Sequence, residues 1–484
     1  MIEQNLDPKN WEEMRALGHK MIDDMIDYLK EIKNQPSWKK IPEEVKANYQ
    51  YGIPENPSSI NEIYEEFLKN IFPYPKGNIH PRFWAWVQGT GTPLGVLADM
   101  MASAMNSNVA IGEHSAMYID AQVINWCKQM MGFPEHASGM LVSGGSIANI
   151  TGLIVARNFQ TEYTVRKTGL KAREKQMTIY CSEETHSCVM KGVEMIGIGH
   201  DFIRKIKVND QFQISIEELK NKIELDIAEG YEPFCIVANA GTVNTGAIDD
   251  LKAIREICDE HNIWMHIDGA FGALAKLTEE YSEILRPIGE ADSVAFDLHK
   301  WMYMPYEVGC ILINNRTTHR NSFDISPSYL LNHQRGLAAG PDPYNNYGME
   351  LSRGFKALKV WMSLKEHGLK KYSEIIYQNI LQCRVFAKMI DGHPNLELLA
   401  PVSLNIVNYR YVIQDKDLDY LNTINKEILM TLQERGIASP SSTILKGRYA
   451  IRVAHVNHRS TIADFEIMVN ETVNIGNELA SVKH

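Results

Sequence analysis

The stretch IWMHIDGA, residues 263–270, decides how this chain folds, because an apolar run of strand length ends there in a carboxylate. Similar short apolar runs recur on both sides of it and alternate with helical patterns. The runs are Met140–Val142, Met177–Cys181, Phe234–Asn239, Trp264–Ile267, Ser293–Phe296 and Cys310–Ile313. This alternation predicts an α/β fold with a mostly parallel sheet and helices on both of its faces.

Polar residues directly follow three of these runs. Ser143–Ser146 reads SGGS, Asp268 ends the stretch quoted above, and His299–Lys300 follows the run that ends at Phe296. Because ligands bind at the carboxyl ends of the strands in parallel sheets, we expect these three groups to meet in one binding site.

Lys300 and Asp268 are the residue types that a pyridoxal phosphate (PLP) site needs at its two ends. A lysine that bonds to the cofactor aldehyde needs a pKa lowered from ~10.4 by burial or by cationic neighbours. A carboxylate ~3 Å from the protonated pyridine nitrogen gains roughly 5 kcal/mol before desolvation at an effective dielectric constant of ~20. Each residue alone also has an ordinary explanation, as a surface lysine or as an aspartate that caps a helix.

Three other features fit such a site. SGGSIAN, residues 143–149, places glycines at the start of a helical pattern, where free backbone N–H groups favour a phosphate. His186 follows a strand pattern and can stack on a cofactor ring, although a lone histidine is more often an ordinary core or surface residue. Tyr329 precedes a long polar loop, and a phenol on a lid can deliver a proton once water is excluded. An ordinary loop tyrosine explains Tyr329 equally well.

The composition is that of a soluble globular protein, with a formal net charge of -11 over 484 residues. This negative charge argues against nucleic acid and anionic membranes as partners. We expect no signal peptide and no membrane span, because neither a basic region with an apolar run nor a long apolar stretch occurs. The seven cysteines form no C-x-x-C pair, which predicts reduced core cysteines in a cytoplasmic protein and no metal site.

Helical and strand patterns divide the chain into three predicted parts. Residues 1–85 form a helical segment without a core of its own, which packs on a partner subunit. Residues 86–375 form the large PLP-binding domain, and residues 376–484 form a small α+β domain. Within the first part, Asp7 is expected to cap a helix over 8–32, and a second helix pattern follows from about 60 to 71.

Six separated stretches resemble the group II PLP-dependent amino acid decarboxylases: SGGSIAN, THSCV, ANAGTVNTGAID, HIDGAF, DLHKW and SPSYL, in this order. The bacterial form of the aromatic-L-amino-acid decarboxylase branch is the most similar. The resemblance spans nearly the whole chain and includes HPRFWAW at 80–86. It implies a homodimer of PLP fold type I, the aspartate aminotransferase-like fold, with the N-terminal helices wrapped around the partner subunit.

The resemblance also implies roles for individual residues. Lys300 would bond to the cofactor aldehyde, Asp268 would pair with the pyridine nitrogen, and His186 would stack on the ring. Tyr329 would protonate the substrate Cα and would reach the other subunit's site. The remaining cofactor contacts would be Gly145 and Ser146 at the phosphate, His299 near it, Thr242 under the cofactor and Ala270 against the ring.

Four residues would line the substrate pocket by the same resemblance: Trp86, Val87, Asn108 and Ala110. Animal enzymes have a bulky aromatic residue where Ala110 falls, so the smaller side chain would leave room for a larger ring such as indole. Phe271 departs from the family, whose members commonly have a tyrosine there. The roles of Arg353, Glu113 and His114 stay open.

The expected reaction is the decarboxylation of an aromatic L-amino acid (tryptophan, tyrosine, phenylalanine or DOPA) to its amine and CO₂. Three alternatives stay open: an aromatic aldehyde synthase, a group II decarboxylase of glutamate or histidine, and a PLP-fold protein that binds without catalysis. Tyr329 and His186 favour a decarboxylase over an aldehyde synthase. The aromatic run at 83–86 favours an aromatic substrate modestly, since core packing explains aromatic residues equally well.

Overall fold

The computed structural model describes residues 3–325 and 333–481. In the N-terminal part, the side chain of Asn10 accepts hydrogen bonds from the backbone N–H groups of Glu12 and Glu13, so Asn10 and not Asp7 caps the first helix. The predicted helix pattern from 60 to 71 is confirmed. The elements of this part are α1 (Trp11–Lys30), a 3₁₀ turn (Ile32–Asn34), α2 (Glu43–Ala47), a 3₁₀ turn (Asn48–Gln50), α3 (Ile60–Glu66), a π turn (Phe67–Ile71) and β1 (Phe83–Trp84).

Seven strands form the central sheet in the order β2-β8-β7-β6-β5-β3-β4. Neighbouring strands are parallel except that β8 is antiparallel to both β2 and β7. All six predicted runs are strands of this sheet, so the predicted α/β fold is confirmed. The edge strand β4 was not predicted, because its half-exposed sequence IRKI lacks an apolar run. The strands are β2 (Ser138–Val142), β3 (Met177–Ser182), β4 (Ile203–Ile206), β5 (Glu232–Asn239), β6 (Trp264–Asp268), β7 (Ser293–Asp297) and β8 (Gly309–Ile313).

Helices α5, α6, α9, α10 and α13 pack on the sheet, and α6 places its N-terminus at the site. Helix α6 starts just after β2 and contacts β5, β6, β7 and β8, so it crosses the middle of the sheet. The helices are α4 (Pro93–Met105), α5 (Ser115–Met131), α6 (Gly145–Gln160), α7 (Val165–Thr168), α8 (Ser187–Met195), α9 (Ile216–Ala228), α10 (Leu251–His261), α11 (Glu279–Ser282), α12 (Leu298–Trp301) and α13 (Arg316–Phe323). Short 3₁₀ helices cover Leu170–Ala172, His200–Phe202, Gly272–Leu277, Arg286–Glu290 and Tyr344–Asn346.

A second, five-stranded sheet lies in the C-terminal part, in the order β1-β11-β12-β10-β9. Strand β1 pairs with β11 in parallel, so the N-terminal part joins this smaller sheet. The division into three domains stays a prediction, and α14 runs across the border expected after residue 375. No helix within 3–325 or 333–481 has the length and apolar character to cross a membrane. The elements are α14 (Ala357–Asp391), β9 (Leu396–Leu398), β10 (Ile406–Tyr411), α15 (Leu418–Glu434), β11 (Ser439–Leu445), β12 (Arg448–Ala454) and α16 (Ile462–Ser481).

Candidate active site

A cavity of about 470 Å³ opens where β2, β3, β5, β6 and β7 reach their carboxyl ends. The residues that follow these strands form most of its wall. The structure therefore brings together the groups that the sequence placed at strand ends. The predicted site residues in its lining are Trp86, Val87, Gly145, Ser146, His186, Asp268, Ala270, His299 and Lys300.

Lys300 lies in the short helix α12, directly after β7. Its Nζ is 2.8 Å from Oδ2 of Asp297, and its side chain is 22% exposed. Burial lowers the pKa of Lys300, but the charge and hydrogen bond of Asp297, together with the charge of Asp268, outweigh burial and raise this pKa. The expectation of a lowered pKa is therefore wrong, because the nearest charged neighbour of Lys300 is an anion and not a cation.

Asp268 is the last residue of β6 and is almost fully buried. Its Oδ1 accepts a hydrogen bond from the backbone N–H of Ala270 at 3.2 Å. The negative charge of Asp268 works to raise the pKa of both His186 and Lys300, so the three groups interact across the cavity. A buried carboxylate in this position suits a protonated ring nitrogen as its partner.

The glycine turn between β2 and α6 has the form of a phosphate cradle. Helix α6 is sixteen residues long and begins at Gly145, so the free N–H groups of its first turn lie at the cavity. A Cβ on Gly145 would lie 2.9 Å from Oδ2 of Asp297 and 3.5 Å from Cβ of Ala270. A larger residue does not fit there without a shift, and glycine lets the backbone come close to a bound anion.

His186 stands just before α8 and caps it. Its Nδ1 accepts a hydrogen bond from the backbone N–H of Cys188 at 3.2 Å, which leaves the proton of the neutral ring on Nε2. Burial lowers the pKa of His186, and the carboxylate of Asp268 opposes this only in part. The ring is therefore neutral near pH 7.

Asn239 and Asp249, two polar residues that support the turn before His186, were missed by the sequence reasoning. Asn239, the last residue of β5, donates from Nδ2 to Oγ1 of Thr185 at 3.0 Å and to Oδ2 of Asp249 at 2.9 Å. Because Thr185 adjoins His186, these bonds fix the turn that carries the imidazole. Asn239 ends an apolar run, as Asp268 does, and this shared position is the sequence signal that points to it.

His299 is buried beside the glycine turn. Its ring centroid is 4.4 Å from that of Tyr306, and its Nδ1 lies 3.0 Å from the carbonyl oxygen of Val308. Burial lowers the pKa of His299 more than the charge of Asp297 raises it. Tyr306 also lines the cavity and was not predicted, because it lies in a turn without a periodic pattern.

Three predicted residues do not line this cavity as the described ranges form it. The hydroxyl of Thr242 lies 3.0 Å from that of Thr245, within its own turn. Asn108 is exposed, and Ala110 is buried with its carbonyl oxygen bonded to the backbone N–H of Tyr344. Tyr329 lies outside the described residues. The roles expected for all four residues stay predictions.

Arg353, whose role was open, connects two segments near the cavity. Its guanidinium donates to the carbonyl oxygens of Val109 at 2.6 Å and Leu141 at 3.1 Å, and it lies 3.4 Å from Oδ2 of Asp120. All of these groups are buried. Arg353 therefore ties the segment around Val109 to the end of β2. Glu113, by contrast, accepts a hydrogen bond from an exposed tyrosine hydroxyl.

Comparisons with known proteins agree with this geometry. Residues 42–412, which include the whole cavity lining, match the pyridoxal-dependent decarboxylase conserved domain. An aromatic-L-amino-acid decarboxylase from Bacillus atrophaeus is 35% identical over 93% of this chain and 92% of that protein. A phenylacetaldehyde synthase from Arabidopsis thaliana is 25% identical, over 93% of each chain. The crystal structure of Oryza sativa TDC with PLP and tryptamine is 21% identical and matches with a TM-score of 0.89 over 98% of this chain and 100% of that chain.

Proposed function

The chain belongs to the family of pyridoxal-dependent decarboxylases, and we propose that it removes the α-carboxyl group of an aromatic L-amino acid as CO₂ and releases the amine. PLP is its cofactor. One observation carries the proposal: Lys300, Asp268 and the N-terminus of α6 meet in a single cavity. The candidate substrates are tryptophan, tyrosine, phenylalanine and DOPA.

The cavity residues fit PLP at three points. The glycine turn and the first N–H groups of α6 suit the phosphate, Asp268 suits the pyridine nitrogen, and Lys300 suits the aldehyde. Ala270 and His186 border the space between these points. When bound, PLP supplies a sink for the electron pair that is left on the substrate Cα after the carboxyl group departs.

Four side chains have separate roles in cofactor binding and proton transfer. Asp268 would hold the proton on the pyridine nitrogen, and this charge would strengthen the electron sink. Lys300 would provide the amine that bonds to the cofactor aldehyde, and Asp297 pairs with this amine at 2.8 Å while it is free. His186, whose neutral ring has its proton on Nε2, would stack on the cofactor ring. Tyr329 delivers the proton that Cα receives after CO₂ leaves.

An aromatic substrate is supported by apolar residues in the lining of the cavity. Trp86, Val87 and Phe271 contribute apolar surface there. Trp86 is 55% exposed, and the ammonium group of Lys76 lies 4.5 Å from its ring centroid. The Bacillus relative, 35% identical, is named for the same substrate class.

We also propose that the enzyme is a homodimer. Helix α1 has no buried residue, and it exposes Trp11, Met14, Met21 and Ile26. A helix with so much exposed apolar surface needs a partner to cover it. Light scattering on the purified protein is expected to give the mass of a dimer, and the double variant Trp11→Asp/Met21→Asp is expected to shift the mass toward a monomer.

A cytoplasmic location is proposed from the cysteines. All seven are buried and free, which is typical of a protein in a reducing compartment. Fractionation of the native cells with an antibody against the chain tests this proposal, and recovery outside the cytoplasm would contradict it.

The activity is tested by incubating the holoenzyme with an equimolar mixture of the protein amino acids and DOPA. We expect aromatic amines, with one CO₂ per amine and no peroxide. An aromatic aldehyde formed with oxygen consumption and peroxide would instead support an aldehyde synthase, the activity for which the Arabidopsis relative is named. γ-Aminobutyrate or histamine as the product would support the glutamate or histidine alternative.

The role of Tyr329 is tested by Tyr329→Phe, which removes only the phenolic proton. We expect amine formation to fall by roughly 10²-fold or more and an aldehyde to appear. Tyr118→Phe is the matched control, because Tyr118 is exposed and does not line the cavity. Amine formation at the full rate by Tyr329→Phe would contradict the proposed proton donor.

A further inference from the structure

A chain of hydrogen bonds runs from the central sheet to the first turn of α6. It starts at the indole of Trp264, which donates to Oγ of Ser293 at 2.8 Å. Oγ of Ser293 lies 2.7 Å from Nδ1 of His266, and Nε2 of His266 lies 2.8 Å from Oδ1 of Asn149. Nδ2 of Asn149 then donates to the carbonyl oxygen of Gly145 at 2.9 Å. Its three middle members are fully buried.

Each bond of this chain has one direction. An indole N–H only donates, and a neutral imidazole has one donor and one acceptor nitrogen. Burial lowers the pKa of His266 to about 3, so the ring is neutral. Since Nδ2 of Asn149 faces Gly145, its Oδ1 accepts from Nε2–H of His266. Nδ1 of His266 therefore accepts from the hydroxyl of Ser293, and every donor points toward α6.

The last bond acts on the peptide that faces the cavity. The carbonyl of Gly145 and the N–H of Ser146 belong to one planar trans peptide, so they point in opposite directions. A carbonyl held toward the interior of α6 therefore holds the N–H of Ser146 toward the cavity. Ser146 lines the cavity at the helix N-terminus, where a phosphate is favoured.

We propose that Asn149 and His266 are positioning residues for the cofactor phosphate, because they fix the Gly145–Ser146 peptide with its N–H facing that phosphate. His266 and Asp268 are two residues apart on β6 and project from the same face of the strand. One strand therefore serves both ends of the cofactor, directly through Asp268 at the ring nitrogen and through α6 at the phosphate.

Gly152 makes this arrangement sterically feasible. A Cβ on Gly152 would lie 2.5 Å from Cε1 and 2.7 Å from Nδ1 of His266. The imidazole therefore packs against the surface of α6 only because a glycine stands in the middle of this helix. Gly152→Ala raises the intrinsic helix propensity of α6 but displaces His266. A loss of PLP affinity in this variant would therefore come from the displaced imidazole and not from a weaker helix.

The test compares the affinity of the apoprotein for PLP with its affinity for pyridoxal, which lacks the phosphate. Asn149→Ala is expected to weaken PLP binding by roughly tenfold and to leave pyridoxal binding within about twofold. Asn425→Ala is the matched control, because Asn425 is equally buried but bonds to the backbone of Tyr411 in the small domain. It is expected to change neither affinity. An equal loss for both ligands in Asn149→Ala, or no loss for either, would overturn the proposal.

Variants at the other two positions keep the test decisive if Asn149→Ala folds poorly. Gly152→Ala and His266→Leu are expected to show the same selective loss of PLP affinity. His266→Gln keeps a donor for Oδ1 of Asn149, so this variant is expected to keep most of the PLP affinity that His266→Leu loses. Equal PLP affinities in His266→Leu and His266→Gln would overturn the proposal. Wild-type protein that binds neither ligand would overturn the cofactor assignment itself, which is a different outcome.

Discussion

The two ends of the cavity differ in how they are built. At the cofactor end, Asp268 ends one strand of the central sheet, and Gly145 and Lys300 closely follow two others, so all three lie at the edge of this sheet. At the substrate end, Trp86 is 55% exposed, and Asn108 is exposed and outside the cavity lining. The described residues of one chain therefore supply the groups of the cofactor end but leave the substrate wall open. We infer that the central sheet determines the reaction type and that the edge of the cavity determines which amino acid is accepted.

Lys300→Ala is the strongest test of whether the cofactor end determines the reaction. We expect the protein to lose covalent PLP and turnover to fall by about 10³-fold or more, since the covalent link to the cofactor is removed. Loss of the visible absorbance that borohydride fixes in the wild type is the measurement for the link. Release of CO₂ at the wild-type rate by this variant would refute the assignment of the cofactor end.

Asp268→Asn is the next largest change. The amide keeps the shape of the side chain but loses the charge that holds the proton on the ring nitrogen, so we expect kcat to fall by roughly 10²- to 10³-fold. Because the charge of Asp268 also works to raise the pKa of His186, that pKa is expected to fall further in the variant. The pH profile of kcat/KM and an NMR titration of His186 measure both effects. A rate within about threefold of the wild type would mean that Asp268 does not act on the ring.

The same contrast explains what the sequence could predict. The six apolar runs and the polar residues after them predicted the sheet and the cofactor end, because both depend on local pattern and on strand topology. The raised pKa of Lys300 was not foreseen, since the sequence does not state that Asp297 is within hydrogen-bond distance of Nζ. Asn149 and His266 were also missed, because their contact joins residues far apart in the chain. The substrate end was transferred from a resemblance and depends on surfaces that one chain does not close.

Acid is expected to act on the cofactor end through His266. Its folded-state pKa of about 3 lies below the value of ~6.5 expected in the unfolded chain, so only the unfolded state binds a proton between these pH values. Stability is therefore lost as the pH falls below ~6.5, by up to about 1.4 kcal/mol per pH unit for one such residue. Urea unfolding between pH 7 and 4.5 is expected to show a smaller pH slope in His266→Gln.

His455→Gln provides the comparison for this acid effect. Burial lowers the pKa of His455 to about 3 as well, but His455 follows β12 of the second sheet and bonds to Gln382. We expect its replacement to reduce the pH slope of stability in the same way and to leave PLP affinity unchanged. A slope that neither variant alters would show that these buried histidines do not control the acid response.

The smallest expected effect lies at the substrate end, in Trp86→Ala. Two strands of the second sheet hold the backbone of Trp86: Oγ of Ser441 in β11 accepts from its N–H at 3.1 Å, and Arg452 in β12 donates to its carbonyl oxygen at 2.9 Å. The substitution therefore removes a half-exposed ring without moving the chain. We expect KM for the aromatic substrate to rise by roughly three- to tenfold, with PLP affinity unchanged. The KM of Trp86→Phe is expected to lie between those of the wild type and Trp86→Ala. If Trp86→Ala instead lowers PLP affinity as strongly as it raises KM, the two ends of the cavity are one mechanical unit, and substrate choice cannot be redesigned at this edge alone.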